Sequence, residues 1–184
     1  MNGEALDRWL PAAAVCTHHH REARCDAPTL WRAAEAVTVG DSGKLGWLIR
    51  WRVPGSAPRQ TYREMFTSSP FVLLDEGPQR LLAGLCGKIW AARPVLAPLH
   101  GASEFLDWRV PGTVRVLFAQ WAAPSATGAT LVSEVRVAPV DRVASLAIRG
   151  MSPLIGRFEG LIGSEPLRVA VQRAQAAPLA AVPA

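Results

Sequence analysis

Apolar and polar residues change period several times along the chain, and each change predicts an element. Thr17 to Cys25 (THHHREARC) is polar and β-compatible without a continuous apolar run, which predicts an exposed or edge strand. Asp26-Ala27-Pro28-Thr29 then supplies a helix start, with Asp26 or Ala27 near the cap and Pro28 in the first turn, where its missing N–H does no harm. Leu30, Trp31, Ala34 and Val37 follow at helical spacing, and the helix ends before Gly40. The next stretch reads two ways. Leu45, Trp47, Ile49, Trp51 and Val53 alternate as in a strand, while Leu45, Leu48, Ile49 and Arg52 also fit one helical stripe. Pro54-Gly55 ends it in either case, and Tyr62, Met65 and Phe66 predict a second short helix over 60–66.

From Phe71 the period becomes that of strands. Phe71 to Asp75 predicts one strand, Asp75 to Gln79 a turn, and Arg80 to Trp90 the return strand. After a Pro-rich loop come predicted strands over Glu104 to Val110, Thr113 to Trp121 and Thr130 to Val137, with a linker turn (Ala-Pro-Ser-Ala-Thr-Gly) before the last. Short connections between consecutive strands predict an antiparallel meander. Apolar positions three and four apart from Val143 to Leu167 predict a long terminal helix, which Gly150, Pro153, Gly163 and Pro166 should break or kink. Such a stripe has to be covered, and the sheet is the large partner available. The expected organisation is an extension over 1–16, one domain over 17–175 and a disordered tail over 176–184.

Composition narrows the function classes. A length of 184 residues favours one domain, and an apolar share of 49% with a net charge of +5 excludes wholesale disorder. Cys16, Cys25 and Cys86 form no close pair, so neither a disulfide scaffold nor a cysteine-rich zinc site fits. Of the basic residues only Lys44 and Lys88 are lysines, and the arginines are scattered without a block. Trp47, Arg50, Trp51 and Arg52 lie close together, as nucleic-acid binders arrange such residues, but the reading preferred is a solvated face beside buried indoles, so no nucleic-acid partner is expected. Exposed, the Trp47/Trp51 segment could instead dock on a partner. The uncharged stretch from Val116 to Ser133 contains Gln120, Pro124 and Gly128 and reads as two strands around a turn, so no stable membrane insertion is expected. No targeting pattern is visible in the first fifteen residues, and a cytoplasmic location is expected.

Order and residues together resemble a known superfamily. Cys25-Asp26-Ala27-Pro28 with Leu30-Trp31 and Ala33-Ala34 looks like the opening strand-to-helix junction of the START-like helix-grip superfamily, also called SRPBCC, of the polyketide cyclase type. Phe71 to Pro78 followed by Leu82 to Trp90 looks like a hairpin of one bacterial branch of it. Phe105 to Gly112, Val114 to Trp121 and Thr130 to Val137 continue the pattern, which covers roughly Thr17 to Gln175. The resemblance implies an α+β fold in which a seven-stranded antiparallel sheet curls around the C-terminal helix and leaves an apolar cavity. Members bind lipids, sterols, polyketides or other hydrophobic molecules, and some are cyclases or dehydratases. Fold alone does not choose among these.

Several constellations bear on the choice. His18 and His20 would share a strand face with Glu22 and could grip a metal, although exposed polar residues explain the run equally well, and no metal or cofactor is expected. Cys86 sits between Leu85 and Gly87 in a predicted strand, where a thiol is usually inert filler, and no nucleophile elbow or phosphate loop is present. Glu134 and Arg136 lie on one face of the last strand. Turned inward they would be a paired charge able to orient a ligand or move a proton; turned outward they are an ordinary surface pair. Alternation leaves Leu131, Val135 and Val137 as the apolar face and favours the outward reading. Trp90, Phe105, Trp108, Phe118, Trp121 and Phe158 are the expected aromatic lining of the cavity, with core packing as the plainer account of each. The function expected is binding of a hydrophobic small molecule by a monomer or homodimer. The alternative is a cyclase- or dehydratase-type enzyme using Glu134, Arg136 or Glu104 as acid–base groups.

Overall fold

A computed structural model of the chain describes residues 3–53, 55–91 and 93–176, without the side chains of residues 3, 4, 44, 45, 48, 51, 52 and 151–163. Helix α1 (Gly3–Asp7) precedes strand β1 (Val15–Ala23), helix α2 (Ala27–Glu35), a 3-10 turn (Val39–Ser42) and helices α3 (Gly43–Arg52) and α4 (Tyr62–Phe66). Strands β2 (Val72–Gly77), β3 (Arg80–Lys88) and β4 (Val95–Leu96) lead to helix α5 (Ala102–Asp107). Strands β5 (Val114–Ser125) and β6 (Gly128–Pro139) then form a long hairpin before helix α6 (Arg142–Ala176). The fold is α+β: six antiparallel strands form an open sheet in the order β1-β6-β5-β3-β2, with β4 paired to β3. Among the described residues the strand count is one below the seven that the family resemblance implies.

Local chemistry explains most boundaries. The Asp26 carboxylate accepts the Thr29 N–H at 2.7 Å and caps α2, whose Leu30, Trp31 and Ala34 are buried. Those bonds hold the Asp26 carboxyl below its usual range. Helix α4 opens on a reciprocal cap, in which Thr61 Oγ1 accepts from Glu64 N–H and Glu64 Oε2 accepts from Thr61 N–H. The β5–β6 turn is tight because Gly128, at φ +144°, brings its backbone against Ala23 O, where a Cβ would sit 2.4 Å away.

Of the two readings of the 45–53 stretch the structure takes the helical one, with residues 45–52 in α3. Three predicted elements differ in the structure. The strand expected over Glu104 to Val110 is instead the helix α5, ended at Trp108. Glu104 sits in its first turn and accepts the His100 N–H at 2.9 Å, and Phe105 points into the core. The Ala-Pro-Ser-Ala-Thr-Gly segment is mostly strand: β5 continues to Ser125, and β6 begins at Gly128. Helix α6 runs as one element through Gly150, Pro153, Gly163 and Pro166, the positions expected to interrupt it. The tail over 177–184 lies outside the described residues.

Both faces of the sheet are covered. On the inner face Val114, Val116 and Ala122 of β5 and Leu131 and Val137 of β6 pack with α2, α4 and Ala144, Ile148, Leu167 and Ala170 of α6. On the outer face Leu82, Cys86, Leu117, Trp121 and Val132 pack under Leu6, Leu10, Leu99 and Phe105. Residues 3–16, read from sequence as an extension, therefore furnish part of a second core, and β1 starts at Val15, two residues before Thr17.

Candidate functional site

Register decides which side chains meet. Gln120 of β5 is paired with Ser133 of β6, and Ser133 with His19 of β1, so the three form a polar row across the inner face. Phe118 and Val135 form the neighbouring pair. Above this floor α4 places Tyr62 and Phe66, and α6 places Pro166 and Leu167. Between them lies a hollow of about 440 Å³ of empty space, its open mouth included, floored by Leu81, Ala83, Phe118, Gln120, Ser133 and Val135. Its inner part is narrow, with room for roughly two waters.

Three of the lining side chains, Tyr62, Phe66 and Phe118, are aromatic. Phe66 stacks at a tilt on Phe118 with centroids 5.2 Å apart, Phe71 meets Phe66 edge-on at 5.2 Å and Phe118 at 5.4 Å, and Tyr62 lies 6.3 Å from Phe66. Gln120 and Ser133 are the polar groups on the floor, and neither hydrogen-bonds another side chain among the described residues. At the rim the Tyr62 hydroxyl donates to Ser42 Oγ at 2.8 Å, and Ser42 is fully buried. Burial drives the Tyr62 phenol well above its ordinary value, so it stays protonated across the physiological range.

The residues expected to line one cavity are divided between the two faces. Phe118 lines the hollow, and Trp90 packs half-buried against the inner core at the end of the β3 hairpin arm. Phe105, Trp108 and Trp121 belong to the outer face. Phe105 is fully buried, its ring lying where a Cβ on Gly84 would come within 2.6 Å, and Trp108 Nε1 donates to Thr113 Oγ1 at 2.8 Å. The side chains of Phe158 and Trp51 are outside the described ones, whereas Trp47 is 65% exposed. Tyr62 and Phe66, which the sequence places in a short helix, and Phe71, which it places in a strand, are not among the expected lining residues. Tyr62 and Phe66, one helical turn apart, were the available signal.

Glu134 and Arg136 take neither of the two expected positions. Alternation does turn them away from the inner face, but they are only 6% and 8% exposed because α1 and the residues after it cover them. Arg136 Nε donates to Glu134 Oε1 at 2.6 Å, and its Nη1 donates to Asp7 at the end of α1. Glu134 also meets His18 Nδ1 at 3.3 Å and accepts from the Cys16 thiol at 3.6 Å. Burial pulls the Arg136 guanidinium down, but Asp7 and Glu134 outweigh it and hold it above its usual value. Burial, then the Glu134 charge, pushes the Cys16 thiol up, so this cysteine is not poised as a nucleophile. Burial likewise pushes the Cys86 thiol up to about 12, in keeping with its reading as filler. Glu22 accepts from Thr127 Oγ1, and among the described residues no three His, Cys, Asp or Glu side chains converge to hold a metal ion.

No protein-family model and no curated protein matches the chain. Among solved structures it is similar to a Chromobacterium violaceum protein at 14% identity and TM-score 0.40, covering 87% of this chain and 96% of that one. A Rhizobium loti protein matches at 16% identity and TM-score 0.37, with coverages of 82% and 96%. A Mesorhizobium loti protein matches at 14% identity and TM-score 0.31, with coverages of 80% and 96%. Among the described residues no helix is long and apolar enough to cross a membrane.

Proposed function

We propose that the protein binds a small hydrophobic molecule in the hollow between the sheet and α6, in an arrangement of the helix-grip kind. The observation that carries this reading is an aromatic-walled hollow whose floor has two paired polar side chains, Gln120 and Ser133. Apolar walls with a few convergent polar groups are what a small-molecule site needs. The packing of helix α6 on β1, β6 and α2 supports the helix-grip reading. A small apolar group seated in the hollow would gain roughly 25 cal/mol for each Å² it buries, before association costs.

Binding leads over catalysis because the acid–base groups suggested by sequence lie elsewhere. Glu134 and Arg136 pair on the outer face, and Glu104 caps α5 there. The proposal is tested by thermal melting with a panel of neutral mono- and bicyclic aromatics and medium-chain alcohols. A binder at a hundredfold excess over its Kd should raise Tm by roughly 5–10 °C. Val135→Phe, which fills the hollow from the floor, should abolish the shift while leaving the unliganded Tm within about 2 °C. A flat response across the panel, or shifts that V135F leaves intact, would overturn it.

A further inference from the structure

One end of the outer face holds two arginines that no carboxylate answers. Arg115 of β5 stands opposite Cys86 of β3 and Ala138 of β6, and alternation with Leu117 turns it to the outer face, across the sheet from the hollow. Its Nη1 donates to the Leu106 carbonyl oxygen, near the end of α5, at 3.3 Å. Arg109, exposed in the loop after α5, donates from its own Nη1 to the same oxygen at 2.8 Å and to Trp108 O at 2.8 Å. The two Nη1 atoms are therefore no further apart than two hydrogen-bond lengths. Both lone pairs of the Leu106 carbonyl are then used, and among the described residues the Nε and Nη2 donors of both arginines have no protein acceptor.

Nearby acids do not offset this charge. Glu104 is engaged with the His100 N–H and Asp141 with the N–H groups of Gly112 and Ala144, while Asp107, the last residue of α5, bonds to neither guanidinium. Arg115 is half-buried, its guanidinium 5.9 Å from the centroid of the Phe105 ring. Burial, then the Arg109 charge, holds Arg115 below its ordinary value, as expected of a cation short of water beside another cation. Two cations so placed repel each other, and a partly desolvated one is costly to hold without an opposite charge.

We propose that Arg109 and Arg115 together bind a phosphate group, either the free anion or a monoester carried by a small molecule. This site lies on the face opposite the hollow and does not rest on binding there. The geometry chooses the class. A carboxylate has two oxygens and one charge, which a single guanidinium fork satisfies. A phosphate carries nearly two charges and three terminal acceptor oxygens, enough to engage the free edges of both forks. Arg109 is exposed, so the anion reaches the pair from solvent.

The test is calorimetric titration with phenyl phosphate, inorganic phosphate and benzoate, near neutral pH and at matched ionic strength in chloride. The wild type should bind at least one phosphate about tenfold more tightly than benzoate, the scale of one added charge-assisted contact. The tighter of the two phosphates identifies the source, monoester or free anion. Arg109→Gln and Arg115→Gln should each weaken that phosphate by about tenfold and leave benzoate within about threefold. Benzoate bound as tightly as both phosphates would overturn the site, as would phosphate affinity that either variant preserves. No heat of binding up to about 10 mM of either phosphate would overturn it as well. Should R115Q not fold, R109Q decides, because Arg109 is exposed and belongs to neither core.

Discussion

The two faces of the same sheet bury their side chains by opposite means. The outer face is closed by short pieces, α1 with the residues after it and α5, and carries a dense ionic knot of Asp7, Arg136, Glu134 and His18 at its centre. The inner face is closed by longer helices, carries neutral polar residues in a row, and keeps an unfilled space. Charged groups are thus brought together on the outer face, and neutral hydrogen-bonding groups beside the hollow. A buried ion pair seldom adds net stability, but it penalises any arrangement that separates its members. On the outer face it fixes the position of α1, which contributes only one turn of helix and could not hold itself.

The sharpest way to break the contrast is to remove one member of the knot. Arg136→Met leaves Glu134 buried beside Asp7 without a cation, and should cost roughly 3–5 kcal/mol in urea unfolding. Replacing Glu134 and Arg136 together by leucine and methionine should recover most of that loss. If the single change costs less than about 1 kcal/mol, the outer face does not depend on the pair. Ligand-induced Tm shifts should survive in the double variant, since the hollow lies across the sheet.

Packing on the outer face can be probed next. At Gly84 an added methyl would meet the Phe105 ring at 2.6 Å, so Gly84→Ala should destabilise by roughly 1–3 kcal/mol through overpacking. A neutral result would mean that the ring has room to move, and that this face is looser than its burial indicates.

The smallest effect expected concerns the attachment of α6. Burial raises the Asp41 carboxyl, but donation from the Thr38 N–H and hydroxyl, with the Arg173 guanidinium at 2.7 Å, outweighs it and holds the group below its usual value. A depressed carboxylate contributes stability that is fully present above its unfolded pKa and is lost as pH falls through its folded one. Denaturant midpoints followed from about pH 6 to pH 3 should therefore fall less steeply in Asp41→Asn than in the wild type, by under about 1 kcal/mol across the window. Parallel curves would remove Asp41 from that role.

Legibility in the sequence followed the range of the interactions. Asp26-Ala27-Pro28 announces α2 because cap, proline and apolar stripe all lie within one turn. The hairpin from Phe71 to Trp90 is legible because a polar turn separates two apolar runs. Glu104 to Val110 misleads because apolar Leu106, Trp108 and Val110 alternate with charged Asp107 and Arg109, while a six-residue helix is too short to display a helical period. The site was less legible than the fold. Phe118 and Trp121 lie three residues apart in one strand and so face opposite ways, which alternation alone implies. What α1 covers, and that His19, Ser133 and Gln120 stand in line, depend on pairings between distant strands that no local pattern encodes.

That distant pairing also governs how the molecule is made. Strand β1 has one neighbour in the sheet, β6, and the facing residues His18 and Glu134 are 116 positions apart. At ribosomal speeds β1 therefore emerges on the order of ten seconds before its partner has been synthesised. During that interval its backbone is an unpaired edge, and its abundance of histidine, arginine and glutamate in place of aliphatic side chains keeps it a poor template for adhesion to other nascent chains.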